Sequence, residues 1–306
     1  MSFIKKITIK GHKLRLFLFL ILIPCFVLAE IGTEDYRKYH STKSKFKLEK
    51  SAQGLNYPWA LTFIDKVNVL ITEKDGGLYK VNVLTGGKEK IKHEIAHIGY
   101  DGSGQGGLLD VYFYPPDGYV YFTYSHKSSK LTRSKQISKK SSTAIARGRL
   151  IENEIKDFEI LLIAKPEFLE NRHYGSRLAI KGDDLFASFG ERGQGMISQD
   201  STKHPGSIIR IKTNGEIPKD NPRFKGKKDW LPEIYVIGVR NPQGITISPH
   251  DEEVYFSSHG PRGGDHIGQV EFGSNYGWKD IAWGGREYYG LGIGDAPFKD
   301  KYKKPL

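Results

Sequence analysis

Short runs in which apolar and polar residues alternate recur along the chain and predict β-strands. These runs are rich in β-branched and aromatic residues, and Gly, Pro, Asn or Asp interrupts them at short intervals. No long stretch of the sequence carries the 3.6-residue apolar period of an amphipathic helix. The pattern therefore predicts a nearly all-β protein.

Four of these runs share one pattern and form a degenerate internal repeat. In each copy a turn of small residues leads into an apolar strand, a polar turn follows, and a second, aromatic strand returns. The four copies pair residues 59–63 with 69–72, 108–113 with 120–123, 177–180 with 185–188, and 244–247 with 254–257.

The spacing of the repeat favours a β-propeller. The equivalent positions Leu61, Leu109, Leu178 and Ile245 lie about 50 to 70 residues apart, compared with about 40 to 50 residues in compact blades, which leaves room for long loops. A two-sheet sandwich is the alternative. A sandwich has turn signals about every 8 to 12 residues, and it does not require an internal repeat of this length.

The first 29 residues have the composition of a signal peptide. An apolar run over residues 16–28 ends in Val27-Leu28-Ala29, and it follows Lys5, Lys6, Lys10, Lys13 and Arg15. An uncleaved membrane anchor is the alternative, although the run is shorter than the about 20 residues that span a bilayer. We expect a periplasmic or secreted protein with no stable membrane anchor after cleavage, and one domain over residues 30–306.

Composition and charge narrow the function classes. Cys25 is the only cysteine, so the mature chain has neither disulfides nor thiolate metal sites. The formal net charge is +12 at pH 7, but the basic residues are dispersed apart from residues 135–140 and 299–304, and no basic helix is predicted. We therefore expect no nucleic-acid partner, whereas a small polyanionic ligand stays possible.

Polar loops flank the repeated strands and supply the candidate functional residues. They cover residues 104–107, 171–177 and 238–244, and a fourth, 259–265, follows a strand. Equivalent positions of propeller blades converge on the central channel, so these loops could form one site. Each loop by itself is also typical of a tight turn. Two roles are open for His173: a structural loop residue whose ring nitrogens are hydrogen-bonded, or a general base.

Other catalytic patterns are missing from the sequence. It has no Gly-x-Ser-x-Gly elbow, no His-Glu-x-x-His, no P-loop and no dinucleotide-binding glycine pattern that opens a helix. Glycoside hydrolysis needs two carboxylates that face one cleft. The candidates Asp110, Glu191 and Asp265 cannot be paired from the sequence, so that alternative stays open.

Several of these loops, in the same order, resemble one known family from about Gly54 to Gly290. The family is the soluble pyrroloquinoline quinone (PQQ)-dependent aldose sugar dehydrogenases of the glucose/sorbosone dehydrogenase type. The segments that carry the resemblance are Gly104-Gln105-Gly106-Gly107-Leu108-Leu109, Arg172-His173-Tyr174-Gly175-Ser176-Arg177-Leu178, residues 238–244, residues 259–265 and Asn275-Tyr276-Gly277-Trp278. The resemblance implies a six-bladed propeller with PQQ in the channel beside calcium.

The resemblance also implies a reaction and roles for individual residues. His173 matches the base that takes the anomeric hydroxyl proton of an aldose while hydride passes to PQQ, which yields a lactone and sends electrons to an external acceptor. Gln105 matches a contact to cofactor and sugar. Arg240 matches a residue that takes part in catalysis and contacts the cofactor, and Asn241 and Tyr288 match further cofactor contacts. The residues that match metal ligands are Gly260, Pro261, Asp265 and Tyr276. A non-catalytic propeller that binds a sugar or a partner is the alternative function.

Two departures from the family pattern change these expectations. His266 stands where the family often has a glutamate that binds a second calcium together with the residue matching Tyr276. Because a neutral imidazole is a poor calcium ligand, we expect that second site to be weak or missing. The family also continues beyond the segment matching Leu306, so we expect about four to five blades, no C-terminal closing segment and an open ring with exposed strand edges.

Overall fold

The computed structural model describes residues 49–100, 102–128, 130, 139–295, 297 and 299–306. The predicted signal peptide, with Cys25, and residues 135–138 of the basic run lie outside these residues. Ser51–Leu306 forms one compact unit. No helix in the described part of the chain is both long enough and apolar enough to cross a membrane.

Four antiparallel sheets, here called blades 1 to 4, follow one another along the chain, and each is a simple meander. Blade 1 holds β1 (Pro58–Phe63), β2 (Asn68–Glu73), β3 (Leu78–Asn82) and β4 (Lys88–Lys90). Blade 2 holds β5 (Leu108–Tyr114), β6 (Tyr119–Lys127), β7 (Ser141–Ile151) and β8 (Glu154–Ile163). Blade 3 holds β9 (Leu178–Lys181), β10 (Asp184–Phe189), β11 (Ser207–Lys212) and β12 (Ile234–Ile237). Blade 4 holds β13 (Asn241–Ile247), β14 (Val254–His259) and β15 (His266–Gln269).

The all-β prediction and the propeller arrangement are confirmed. The only helices among the described residues are two short 3-10 helices, Gly195–Gln199 and Pro222–Lys225. Each predicted strand pair forms the first two strands of one blade. The third and fourth strands were not predicted. Residues 241–243, predicted as loop, already belong to β13.

The hydrophobic core lies between successive blades because the first strand of each blade alternates its side chains between two faces. Val111 and Phe113 of β5 pack toward blade 1. The side chains at the equivalent positions of blades 3 and 4 also pack toward the preceding blade. They are Leu178 and Ile180 in β9, and Ile245 and Ile247 in β13. The structure therefore equates Val111, rather than Leu109, with Leu178 and Ile245, because a β-bulge between Leu108 and Val111 shifts the register.

A repeated hydroxyl bridge joins the blades. Thr72 Oγ1 donates to Leu109 O at 2.6 Å, Thr123 Oγ1 to Ser176 O at 2.6 Å, and Ser188 Oγ to Pro242 O at 2.8 Å. Each hydroxyl also accepts a backbone N–H from the first strand of its own blade or the residue just before it. The second strand of one blade is thus tied to the start of the next.

Replacing Thr123 with valine is expected to lower the free energy of unfolding by about 1–3 kcal/mol, because it leaves Ser176 O and Asp110 N–H buried without their partner. Thr123→Ser keeps the hydroxyl and serves as the matched control. Denaturant unfolding measures both variants, and equal losses would contradict the bridge.

Arg177 contacts all four blades from its place just before β9. Its guanidinium lies 4.6 Å from the ring centroid of Trp59 in blade 1, and its Nη1 donates to Asp110 Oδ1 of blade 2 at 2.7 Å. Its Nε donates to Gln243 O of blade 4 at 3.1 Å. The other oxygen of Asp110 accepts Leu178 N–H at 2.7 Å. This fully buried carboxylate and its arginine fix the inner ends of the blades relative to one another.

Candidate active site

A continuous series of contacts joins the loops at one end of the first strands. Gln105, His173 and Arg240 precede β5, β9 and β13, while Glu191 and Gly260 follow β10 and β14. Gln105 contacts His173, His173 contacts Glu191, the backbone of Glu191 contacts Arg240, and Arg240 contacts Gly260. The fold thus brings together residues that lie more than a hundred positions apart in the sequence.

His173 and Glu191 form a buried hydrogen-bonded pair. His173 Nδ1 lies 2.6 Å from Glu191 Oε1, and Gly195 N–H donates to Glu191 Oε2 at 2.9 Å. Burial opposes the charged carboxylate, but the hydrogen bonds from His173 and Gly195 and the positive charge of Arg240 hold the pKa of Glu191 below its usual value. A charged Glu191 places the ring proton on Nδ1 and leaves Nε2 as the acceptor. Nε2 has no hydrogen-bond partner among the described residues.

The backbone of His173 is held as firmly as its ring. Its N–H donates to Gln105 Oε1 at 2.7 Å, and its φ of +52° lies in the left-handed region. A Cβ on Gly190 would lie 2.2 Å from His173 O, so only glycine permits this approach. The side chain of Gln105 and the chain around Gly190 therefore fix the direction of the imidazole.

Arg240 carries an unused donor at the centre of the site. Its side chain is only 7% exposed, and Nη1 donates to Gly260 O at 2.8 Å. Nε is buried with no hydrogen-bond partner in the described part of the chain, and the same holds for Nε1 of Trp278, whose ring lies 5.4 Å from the guanidinium. Unpaired buried donors are costly. These two fit an anionic or carbonyl-bearing ligand such as a quinone carboxylate.

Asn241 supports the loop that carries His173. Its Oδ1 accepts Gly175 N–H at 3.0 Å, and its own N–H donates to Ser258 Oγ at 3.3 Å. The side chain is buried. In the structure Asn241 therefore ties β13 to the segment just after His173, and a contact to cofactor stays a prediction.

Gly260 and Pro261 offer carbonyl oxygens, the ligand type that calcium prefers. They line a cavity of about 10 Å³ together with Arg240 and Trp278, which is about the space of one water or ion. Gly260 O already accepts Arg240 Nη1, but a carbonyl has a second lone pair. Because the guanidinium repels a cation, calcium fits here only with an anionic co-ligand. No cluster of three or more His, Cys, Asp or Glu suited to a metal occurs within the described residues.

Asp265, His266 and Tyr276 lie beside this loop. Asp265 Oδ1 accepts Gly260 N–H at 2.9 Å, and Tyr276 donates to Gln269 O at 2.6 Å. The rings of His266 and Tyr276 stack at 6.2 Å. Burial lowers the pKa of His266 and raises that of Tyr276. A neutral imidazole and a protonated phenol agree with the expectation that a second calcium site here is weak, which stays a prediction.

Tyr288 takes part in none of these contacts among the described residues. It is 67% exposed, in a segment whose residue Arg286 pairs with Arg262. The described contacts do not bring it to His173 or Arg240. Its role as a cofactor contact stays a prediction.

The sequence does not single out Glu191 or Trp278 as residues of this site, and Glu191 stands out only as an unpaired candidate for a glycosidase carboxylate. One signal could have found it. Gly190-Glu191-Arg192 follows the second strand of its repeat much as Gly260-Pro261-Arg262 follows the second strand of the next. Trp278 stands out in the sequence only as part of the Asn275-Tyr276-Gly277-Trp278 motif, and the burial of its Nε1 is visible only in the structure.

The chain matches the family model described as glucose/sorbosone dehydrogenase over residues 55–306. Among curated proteins, the aldose sugar dehydrogenase YliI of Escherichia coli K12 is 34% identical over 252 residues, which cover 79% of this chain and 64% of the relative. Quinoprotein glucose dehydrogenase B of Acinetobacter calcoaceticus is 25% identical over 287 residues, which cover 86% and 58%. The chain thus spans less than two thirds of the length of either relative.

A solved structure shares the fold. The crystal structure of the soluble aldose sugar dehydrogenase from Escherichia coli in the apo form superposes with a TM-score of 0.75 at 31% identity. The match covers 84% of this chain and 73% of the other. The fold of this chain therefore recurs in a protein described as an aldose sugar dehydrogenase.

Proposed function

The chain belongs to the glucose/sorbosone dehydrogenase family, and from that membership we propose that it oxidises the anomeric C–OH group of aldose sugars to lactones with His173 as the general base. The observation that carries the proposal is the 2.6 Å hydrogen bond between His173 Nδ1 and Glu191 Oε1. It leaves Nε2 as a free proton acceptor at the rim where Gln105 and Arg240 also lie.

PQQ is the proposed cofactor because one relative is a quinoprotein and because unpaired buried donors of Arg240 and Trp278 suit an anionic quinone. When bound, PQQ supplies a two-electron acceptor for the hydride that leaves C1 of the sugar. Calcium is proposed at the carbonyls of Gly260 and Pro261, with a cofactor oxygen as the anionic co-ligand. The electrons then pass to an external acceptor, and we propose that the protein is exported.

Each residue has a defined task in this proposal. His173 Nε2 takes the proton of the C1 hydroxyl, and the single hydrogen on C1 would leave as hydride to the cofactor, so the sugar loses two electrons and C1 becomes a carbonyl. Glu191 stabilises the imidazolium that forms and keeps its ring orientation. The guanidinium of Arg240 would stabilise the negative charge that develops on the cofactor when the cofactor accepts the hydride. The amide of Gln105, exposed at the rim, is positioned to contact sugar or cofactor.

Purified chain supplied with PQQ and calcium is expected to reduce an artificial dye when an aldose is added. Omission of PQQ, or calcium removal by a chelator, is the control and should abolish the rate. PQQ binding is followed separately through quenching of tryptophan fluorescence, because Trp278 borders Arg240.

Two outcomes would overturn the proposal. PQQ binding without aldose-dependent dye reduction would reject the dehydrogenase activity. Calorimetric binding of a sugar in the absence of PQQ, unaffected by His173→Ala, would favour the non-catalytic propeller instead.

A further inference from the structure

A loop rich in basic residues projects from the outer edge of blade 3. This basic loop covers residues 217–228 between β11 and β12, and β12 is the outermost strand of its sheet. The chain is exposed at every position from 223 to 229. The loop carries five exposed cations and two exposed apolar side chains. They are Lys219, Arg223, Lys225, Lys227 and Lys228, and Ile217 and Phe224.

Acidic neighbours do not neutralise the basic loop. Asp220 is the only acid within it, and its carboxylate pairs inward with Arg210 of β11 at 3.1 Å. Glu216 and Asp229 stand just outside its two ends. None of the five cations forms an ion pair with another of the described residues. The loop therefore presents a local excess of positive charge to solvent.

The base of the loop is fixed to the blade. Asn221 is fully buried, and its Nδ2 donates to Arg210 O and Pro232 O, both at 2.9 Å. Trp230 packs in the hydrophobic core, and its carbonyl accepts Arg223 Nη1 at 2.7 Å. Because the base of the loop is ordered before it meets a partner, docking costs little conformational entropy.

The combination of cations with an exposed aromatic ring fits an anionic phospholipid surface. Lipid phosphates attract lysine and arginine, and each basic residue near such a surface strengthens binding. The boundary between headgroups and acyl chains also accepts an apolar ring. An acidic polysaccharide satisfies the cations but leaves Phe224, which is 50% exposed, in water. A row of exposed residues at a projecting tip suits a flat surface rather than a groove.

We propose that the basic loop docks the protein reversibly on an anionic phospholipid surface. Phe224 inserts at the level of the headgroups, and Lys219, Lys225 and Lys228 contact lipid phosphates. The contact needs no segment that spans the bilayer. Because β9, which follows His173, lies at the opposite edge of the same sheet, docking leaves the candidate active site accessible.

The electrostatic part of the proposal is tested by Lys219→Gln, Lys225→Gln and Lys228→Gln combined in one variant. Binding is measured by sedimentation with vesicles of phosphatidylcholine that contain increasing fractions of phosphatidylglycerol. Every protein in the test lacks residues 1–29, because that segment is itself basic and apolar; all strands lie in the compact unit Ser51–Leu306. Wild type is expected to bind only vesicles with anionic lipid and to be released by high salt. The variant is expected to bind about 100-fold more weakly, from about 5-fold for each lysine.

Lys66→Gln, Lys90→Gln and Lys92→Gln in one variant are the matched control. These three lysines are also exposed, they lie in or just beside blade 1, and their replacement lowers the net charge by the same amount. This control variant is expected to bind the vesicles as wild type does. Equal losses in the two triple variants would show that binding follows net charge rather than the basic loop.

Phe224→Trp tests insertion of the ring. Its added indole is expected to be quenched by acyl chains that carry bromine, beyond the quenching of wild type, whereas Leu84→Trp, at a side chain 77% exposed in blade 1, is the control that should show no added quenching. An unquenched Phe224→Trp variant, or no binding of wild type to anionic vesicles, would overturn the proposal. Retention on soluble poly-glutamate without vesicle binding would do the same and assign the loop to an acidic protein.

Discussion

Alanine in place of His173 is expected to lower kcat for aldose oxidation by about 10²–10⁴-fold, the usual contribution of a general base. The loss has a physical reason: the bond from His173 Nδ1 to Glu191 leaves Nε2 as a proton acceptor without a partner among the described residues, and alanine removes that acceptor. The measurement is dye reduction at saturating aldose with PQQ and calcium bound. PQQ binding itself should persist, because Arg240, Gly260 and Trp278 are unchanged.

A second buried pair in blade 3 provides the matched control. His204 Nε2 lies 2.6 Å from Glu233 Oε1, the same separation as in the His173 pair, and Lys165 N–H donates to His204 Nδ1 at 3.0 Å. Both ring nitrogens of His204 are therefore engaged. His204→Ala should lower stability but leave kcat near wild type. If both alanine variants lost kcat equally, the role of His173 as base would be rejected.

Glu191→Gln separates positioning from proton transfer. A glutamine still reaches the imidazole, but it carries no charge to stabilise the imidazolium and can present its NH₂ to the ring. We expect kcat to fall while KM changes little, since Glu191 contacts His173 rather than sugar. An unchanged kcat would show that the carboxylate has only a structural role.

The first two strands of each blade could be predicted because their side chains alternate and pack on both neighbours. The outer strands β4 and β8 could not, since β4 is fully exposed and Ile155 is the only buried residue of β8, so neither strand alternates buried and exposed side chains. The loops at the site could be singled out by their glycines and polar groups. Their contacts could not, because the pairing of Glu191 with His173 depends on the way Gly190 lets two backbones approach.

The inter-blade bridge illustrates the same limit. A serine or threonine within each second strand is visible in the sequence, but such residues are common in strands. Only the structure shows that Thr72, Thr123 and Ser188 donate to the next blade. The register shift at Leu108 also hid the equivalence of Val111 with Leu178.

Loss of Arg177 is expected to have the largest effect on stability. Arg177→Ala leaves Asp110 buried without its ion pair, and breaking such a pair costs about 3–5 kcal/mol. Burial already raises the pKa of Asp110 to about 6, with Arg177 as the main opposing influence, so its removal raises that pKa further. A carboxyl whose pKa is higher in the folded than in the unfolded chain favours folding when protonated, so the free energy of unfolding falls as pH rises from about 4 to above 6.

The pH dependence distinguishes this effect from lost packing against Trp59. Urea unfolding should show a larger loss for Arg177→Ala at pH 8 than at pH 5, where Asp110 is mostly protonated. Adding Asp110→Asn to Arg177→Ala removes the charge, so the double variant should be more stable than the single one at pH 8 and nearly independent of pH. Lys80→Ala, which breaks the more exposed ion pair with Glu89, should cost only about 0–1 kcal/mol. Equal losses for Arg177→Ala at both pH values would mean that the guanidinium acts through its stacking and its bond to Gln243 O rather than through the charge of Asp110.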